Sequence, residues 1–288
     1  MIKKIKNYYI LGRFNNPTGA LLLAWPCLWG VMMAKPELLI FFKYTILLFI
    51  GSFILRAAGC AWNDILDRNI DKKTNRTKSR PIASGKLTVL DGLVFIFLIF
   101  ILGLYILYNL SLPAIIISII SIPLIIIYPL TKRITFFPQI WLGITFNIGI
   151  LIGYSCITNN YPNYIVFTLY IGAIFWTIGY DTLYAMQDYV DDKITGVKST
   201  VTKMKHNSGF FAASAYFISS IIFSISLLLN NYHLLMILFV VALGLWQTYN
   251  AAYTKITDTH KFNKGFKNSN LCGFLMWLGM ILNIYIIN

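Results

Sequence analysis

Apolar residues in this chain fall neither at every second position nor along one helical stripe; they come in unbroken runs. The stretch "LVFIFLIFILGLYILY", residues 93–108, is apolar on every side of any helix drawn through it. A soluble helix would keep a polar face, and a half-buried strand would alternate. A run of about 20 apolar residues instead matches the hydrocarbon thickness of a bilayer. Nine such runs are expected as spans: 17–34, 39–66, 88–108, 112–130, 137–158, 163–188, 209–229, 232–252 and 269–287. The short alternating segments of a membrane barrel do not occur. Only helices and closed barrels satisfy their backbone groups inside lipid, so the expected class is an all-α, polytopic membrane protein.

The polar connections between the runs alternate in character. Residues 1–16, 67–87, 131–136, 189–208 and 253–268 carry 21 of the 24 Lys and Arg residues, whereas "KPE", "NLS", "TNNYPN" and "NNYH" are short and nearly neutral. Basic residues collect on the cytoplasmic side of membrane proteins. The amino terminus and the charged loops are therefore expected on the cytoplasmic face of a cell inner membrane, with the carboxyl terminus across it. The opening "MIKKIKNYYILGRFNNPTG" leads into a run with an internal proline, and is expected to be a retained first span rather than a removable signal. With no long linker or low-complexity tract, residues 1–288 are expected to form one domain.

Composition sharpens this in one respect. The formal net charge is +14, which taken alone would suit a nucleic-acid partner, but its confinement to short loops speaks for membrane topology instead. The four cysteines sit singly inside apolar runs and the three histidines are scattered, so neither residue type suggests a metal site or a disulfide framework.

The acidic residues carry the chemistry. Of ten, seven lie in two patches, Asp64, Asp67 and Asp71, then Asp181, Asp188, Asp191 and Asp192, each at the charged end of a long apolar run. On a helix Asn63, Asp67 and Asp71 share a face with Asp64 beside them, and Asp181, Asp188 and Asp192 share another. Like charges so spaced repel unless cations sit among them, and hard carboxylate oxygens suit Mg²⁺ bridged to phosphate. Arg76 and Arg80 follow the first patch, and an arginine fork pairs well with phosphate oxygens. Lys132, Arg133 and Lys198 could add charge. Arg56 lies inside a span on the face of Asn63, where an arginine needs a partner or a cavity; it could pair with an aspartate or receive an anionic substrate. The plainer alternatives are solvated helix ends for the acids and topology signals for the bases. A cation-coupled transporter is a further alternative, although its acids belong near the membrane midplane rather than at span ends.

Nearly the whole chain resembles the intramembrane aromatic prenyltransferases of ubiquinone biosynthesis. "RAAGCAWNDILDRNIDKKTNRTKSRPIASG" resembles that family's first aspartate motif and "YDTLYAMQDYVDDKITGVKST" its second, while "NPTGALLLAWPCLWG", "YPLTKRITFFPQIWLG" and "FKNSNLCGFLMWLG" resemble further segments. The resemblance implies nine helices around a central cavity accessible from lipid, and transfer of a polyprenyl group from polyprenyl diphosphate to 4-hydroxybenzoate. It implies Mg²⁺ held by Asn63, Asp64, Asp67, Asp71, Asp188 and Asp192. It also implies catalytic roles for Asp67, Asp71, Asp181, Asp188 and Tyr184, and substrate contacts from the basic residues named above. Dihydroxynaphthoate or heme as acceptor remains an alternative within the family. One departure is "RFNNPTG", with Asn15 and Asn16 where the family usually carries charge; Arg13 remains.

Overall fold

The computed structural model describes residues 2–257 and 259–287. Thirteen α-helices follow one another: α1 Ile2–Leu11, α2 Thr18–Met33, α3 Leu38–Asp71, α4 Val89–Tyr108, α5 Leu112–Ile127, α6 Thr131–Ile134, α7 Pro138–Thr158, α8 Tyr164–Ala185, α9 Tyr189–Thr195, α10 Thr200–Met204, α11 Ser208–Leu229, α12 Leu234–Ala252 and α13 Thr259–Leu282. Short 3₁₀ turns join α5 to α6, α8 to α9 and α10 to α11. Among the described residues eight helical segments are long and apolar enough to cross a membrane, and α2 is a shorter apolar ninth. All nine expected apolar runs therefore form helices, eight of them long enough to cross, with shifted ends.

The shifts have physical reasons. Helix α3 has 34 residues, about 50 Å at 1.5 Å per residue, against a hydrocarbon layer of about 30 Å. Its last turns, bearing Asn63 to Asp71, therefore project past the oil on a rigid rod. Helix α2 has only 16 residues, 13 of them buried; it is a central post wrapped by protein and has no lipid-facing side to span with. The run expected over 163–188 stops as an α-helix at Ala185 and tightens into a 3₁₀ turn at Met186–Asp188 before α9.

Burial separates the inner helices from the outer. In α7, 61% of the most apolar window is buried; in α4 the share is 6%. Phe97, Leu98, Phe100, Leu102 and Tyr105 of α4 face outward, as a lipid contact requires. Lipid supplies no hydrophobic force between helices, so packing and interhelical hydrogen bonds hold the inner ones. Trp29 of α2 packs its ring 5.1 Å from Trp176 and 5.5 Å from Phe223 and donates to the Gly273 carbonyl at 3.1 Å. The buried Asn147 amide donates to Thr177 Oγ1 at 2.8 Å, joining α7 to α8, and Ser219 donates to the Gly172 carbonyl, joining α11 to α8.

Candidate active site

The end of α3, the loop after it, the α5–α6 turn and the end of α8 meet around one cavity of about 520 Å³. Its deeper wall includes Leu22, Leu23, Phe146 and Phe266. Toward the charged end it is lined by six carboxylates, those of Asp64, Asp67, Asp71, Asp181, Asp188 and Asp192, and by six cations, Arg13, Arg56, Arg76, Arg80, Lys132 and Lys198. Asn63 and Tyr184 line it too. The two aspartate patches, 110 or more positions apart in the chain, thus face one space.

Local folding brings them there. Past α3 the chain winds through successive turns, with Thr77 N–H donating to the Thr74 carbonyl and Arg80 N–H to the Thr77 carbonyl. Thr74, Thr77, Ile82, Ala83 and Leu87 are buried, so this loop is a packed layer that aims Arg76 and Arg80 inward. Helix α4 then starts on a capping box: Thr88 Oγ1 accepts from Asp91 N–H at 3.1 Å and the Asp91 carboxylate from Thr88 N–H at 2.9 Å. Pro129 ends α5 in a 3₁₀ turn, which swings Lys132 across to α3. Lys198 N–H donates to the Lys132 carbonyl at 3.1 Å and Thr200 Oγ1 to Gln139 at 2.6 Å, tying the second patch's loop to the first patch's side.

The carboxylates of α3 are almost fully enclosed and heavily paired. Arg13 Nη2 donates to both oxygens of Asp64, at 2.7 and 2.9 Å. Arg80 Nη1 bridges Asp64 Oδ1 at 3.0 Å and Asp71 Oδ2 at 2.9 Å. Lys132 is hydrogen-bonded to Asp67 Oδ2, while the buried Asp67 Oδ1 has no hydrogen-bond partner. On the other side Arg76 grips Asp188 with both arms of its fork, at 2.6 and 2.7 Å, and donates to the Tyr184 hydroxyl at 3.2 Å. Burial alone would lower the Arg76 pKa; Tyr184 and Asp188 outweigh it and hold the guanidinium charged, above its ordinary value. Arg56 lies over the Phe146 ring at 5.4 Å with its Nε buried and unpartnered.

Thirteen of the fourteen residues expected at the site line this cavity. Arg133 does not: it points outward, reaching the Leu66 carbonyl at 3.0 Å and approaching Asp67 from outside at 3.6 Å. It follows Lys132 directly in the short α6, so the two side chains leave the turn in different directions. The helical face expected for Asp181, Asp188 and Asp192 is not one unbroken helix either. The 3₁₀ turn at Met186–Asp188 resets the register, because it winds three residues per turn, yet all three side chains reach the cavity. Arg13 is the lining cation that spacing did not single out; its one signal was being the charge left in "RFNNPTG".

The oxygen donors suit a hard divalent ion. Among the described residues, however, no three acidic, histidine or cysteine groups stand together as a ready ion cage, since cations occupy the α3 carboxylates. Asp67 Oδ1, buried and without a hydrogen-bond partner although Arg133 Nη2 stands 3.6 Å away, is a donor that such an ion would satisfy.

These features define a helical membrane protein with a charge-balanced cavity at one end of its bundle. Residues 23–278 match the UbiA prenyltransferase family, and the chain belongs to it. It is 43% identical over 223 residues to a mitochondrial 4-hydroxybenzoate polyprenyltransferase of Arabidopsis thaliana, covering 75% of this chain and 55% of that protein. It is 34% identical over 283 residues to a 4-hydroxybenzoate octaprenyltransferase of Haemophilus ducreyi, covering 96% and 99%. Against several eukaryotic relatives the chain spans about half of their length, as with 48% of the Aedes aegypti protein. A UbiA homolog of Archaeoglobus fulgidus bound to GPP and Mg²⁺ shares the fold, with TM-score 0.74 at 16% identity over 97% of this chain and 100% of that one. A homolog from Aeropyrum pernix reaches 0.75 at 18% identity, over 91% and 97%.

Proposed function

We propose that this chain, acting as one intramembrane domain, transfers a polyprenyl group from polyprenyl diphosphate to the carbon ortho to the hydroxyl of 4-hydroxybenzoate. The observation that carries the reading is the cavity of matched charge, in which six carboxylates and six cations share one space with apolar wall residues such as Leu22, Leu23, Phe146 and Phe266. A diphosphate entering it brings negative charge that the cavity as built does not balance. Extra positive charge must therefore come with it, and the similarity to 4-hydroxybenzoate polyprenyltransferases and to a homolog bound to GPP and Mg²⁺ supports a prenyl diphosphate with magnesium. Asn63, Asp67 and Asp71 on one side, with Asp188 and Asp192 on the other, would hold Mg²⁺, which supplies neutralisation of the leaving diphosphate.

The chain's own residues do the rest. Arg76, Arg80, Lys132 and Lys198 turn from their present partners to the diphosphate oxygens, favouring the ionised state in which charge grows there. The allylic carbon–oxygen bond breaks, its electron pair leaving with the diphosphate. Apolar walls exclude water from the allylic cation, and the Tyr184 ring offers it a π face. Arg56, buried with an unpartnered Nε, receives the acceptor's carboxylate. The ring carbon attacks the cation, and Asp181, a carboxylate in the cavity wall, takes the displaced ring proton. The greasy prenyl tail enters from lipid. The membrane is the inner one, with the charged end facing the cytoplasm.

A transporter is disfavoured because the acids sit at helix ends rather than at mid-depth. The test supplies purified protein with labelled polyprenyl diphosphate and, in separate arms, 4-hydroxybenzoate, dihydroxynaphthoate or heme, each with Mg²⁺ or with chelator. Label on hydroxybenzoate that disappears with chelator is expected. Label on another acceptor alone overturns the assignment.

A further inference from the structure

Arg13 and Asp64 face the cavity yet have no part in the reaction just described. Both oxygens of Asp64 are occupied: Oδ2 by Arg13, Oδ1 by Arg13 and Arg80 together. Asp64 has both oxygens hydrogen-bonded to arginine and none left for an incoming ion, whereas the equally buried Asp67 keeps one oxygen, Oδ1, without a hydrogen-bond partner. Arg80 meanwhile divides a single nitrogen between Asp64 and Asp71. If Arg80 leaves for a diphosphate, Asp64 keeps Arg13. If Arg13 were missing, Arg80 would be the sole counter-charge of a buried carboxylate, and such a charge left alone is strongly unfavourable. Arg80 would then be held back.

The backbone around Arg13 fits this duty. Its φ is +59°, a left-handed conformation that costs a non-glycine residue energy and persists only where the surroundings impose it. The segment before it is pinned on three sides. Leu11 is fully buried beside Ala61, Ile65, Ile82 and Leu87, Tyr8 stacks on Phe95 at 5.8 Å, and Lys4 pairs with Asp91 at 2.7 Å. Arg13 Nη1 also donates to the Ile10 carbonyl at 3.0 Å, fixing the guanidinium from behind.

We propose that Arg13 is a positioning residue which, by holding Asp64, frees Arg80 to bind the substrate's diphosphate, and that Asp64 supplies charge to this relay rather than a metal bond. The proposal rests on reading the cavity as a diphosphate site.

The test uses the full chain in nanodiscs with four variants: R13Q, D64N, the R13Q/D64N double and R13K. Binding of geranyl thiolodiphosphate, whose carbon–sulfur bond does not ionise, is measured by calorimetry with chelator and with Mg²⁺, beside KM, kcat and the Mg²⁺ dependence of turnover. R13Q is expected to weaken analogue binding roughly tenfold in both conditions, the scale of one charge-assisted hydrogen bond, raising KM more than kcat falls. Removing the Asp64 charge as well should restore binding in the double variant, and R13K should restore most of it. D64N should leave the half-maximal Mg²⁺ concentration where it was. Equal weakness in R13Q and the double, or a roughly tenfold Mg²⁺ shift in D64N, the sign of a lost metal donor, overturns the proposal. If R13Q does not fold, R13K and the R13Q/D64N double decide: near-wild-type analogue binding in both is expected, and roughly tenfold weakness in both overturns the proposal. Wild-type protein that fails to bind the analogue even with Mg²⁺ instead overturns the diphosphate reading, and this inference with it.

Discussion

The two aspartate patches face the same cavity but are built on different principles. The first rides on an uninterrupted 34-residue helix, with Asp64, Asp67 and Asp71 nearly inaccessible and ion-paired to Arg13, Arg80, Lys132 and Arg133. The second crosses a 3₁₀ break, its carboxylates are partly exposed, and among the described residues only Asp188 has an ion pair, with Arg76. Fixed geometry and full compensation make the first patch a template. Looser winding and sparse pairing let the second adjust to whatever the template holds. The cavity thus pairs a rigid jaw with a compliant one.

Substitutions should reveal that asymmetry. The largest effect is expected from Asp67→Asn, which removes the rigid carboxylate whose buried Oδ1 has no hydrogen-bond partner and strands Lys132. Turnover should fall about a thousandfold, at the upper end for loss of one preorganised charge-stabilising group, with the protein still inserted and monodisperse in detergent. Activity within about tenfold of wild type, one such unit of barrier energy, would remove the template from the argument. Asp188→Asn should cost less, about a hundredfold, because Asp181 and Asp192 remain on the adjustable side and Arg76 is released toward the diphosphate. A larger loss from Asp188 than from Asp67, in the same kcat/KM assay, would invert the comparison.

Much of this was legible in the chain. Run length gave the helices, and the i, i+4, i+8 spacing of Asn63, Asp67 and Asp71 gave a shared face that α3 keeps, because a long apolar helix continues into water without a break. The second spacing was read as an α-helical face, and the 3₁₀ turn escaped because "AMQDYV" carries no proline or glycine to announce it. Arg13 escaped for another reason. Its partner Asp64 lies 51 positions away, and no local periodicity links a loop arginine to a distant helix. Arg133 shows the converse: identity and loop suggested a ligand, but neighbours in a four-residue helix point apart.

Smaller changes can separate the two jaws further. Tyr184→Phe removes the hydroxyl that accepts from Arg76 while leaving the ring packed against Phe266 at 4.7 Å. With the Asp188 fork intact, the expected rise in KM for the prenyl diphosphate is about fivefold, the scale of one ordinary hydrogen bond. A kcat collapse instead would mean that the hydroxyl, and not the ring, takes part in the chemistry.

The smallest and most discriminating pair concerns two glycines with left-handed φ, Gly85 at +76° after the first patch and Gly196 at +73° after the second. Alanine at either position incurs roughly 1–2 kcal/mol of backbone strain. The consequences should differ because the loops differ. Around Gly85, the buried Ile82, Ala83 and Leu87 fix the chain, so strain has nowhere to relax and should appear as a lower Tm with KM unchanged. Gly196 ends α9, where Val197 N–H reaches back to the Asp192 carbonyl at 3.1 Å and Lys198 N–H reaches Lys132. Strain there can relax by loosening the segment that carries Asp192 and Lys198, so KM should rise severalfold, about fivefold per kcal/mol, with Tm little moved. Thermal unfolding and steady-state kinetics on G85A and G196A, measured side by side, test this. If both variants lose Tm and neither changes KM, the second patch is as rigid as the first, and its compliance is not what fits it to the substrate.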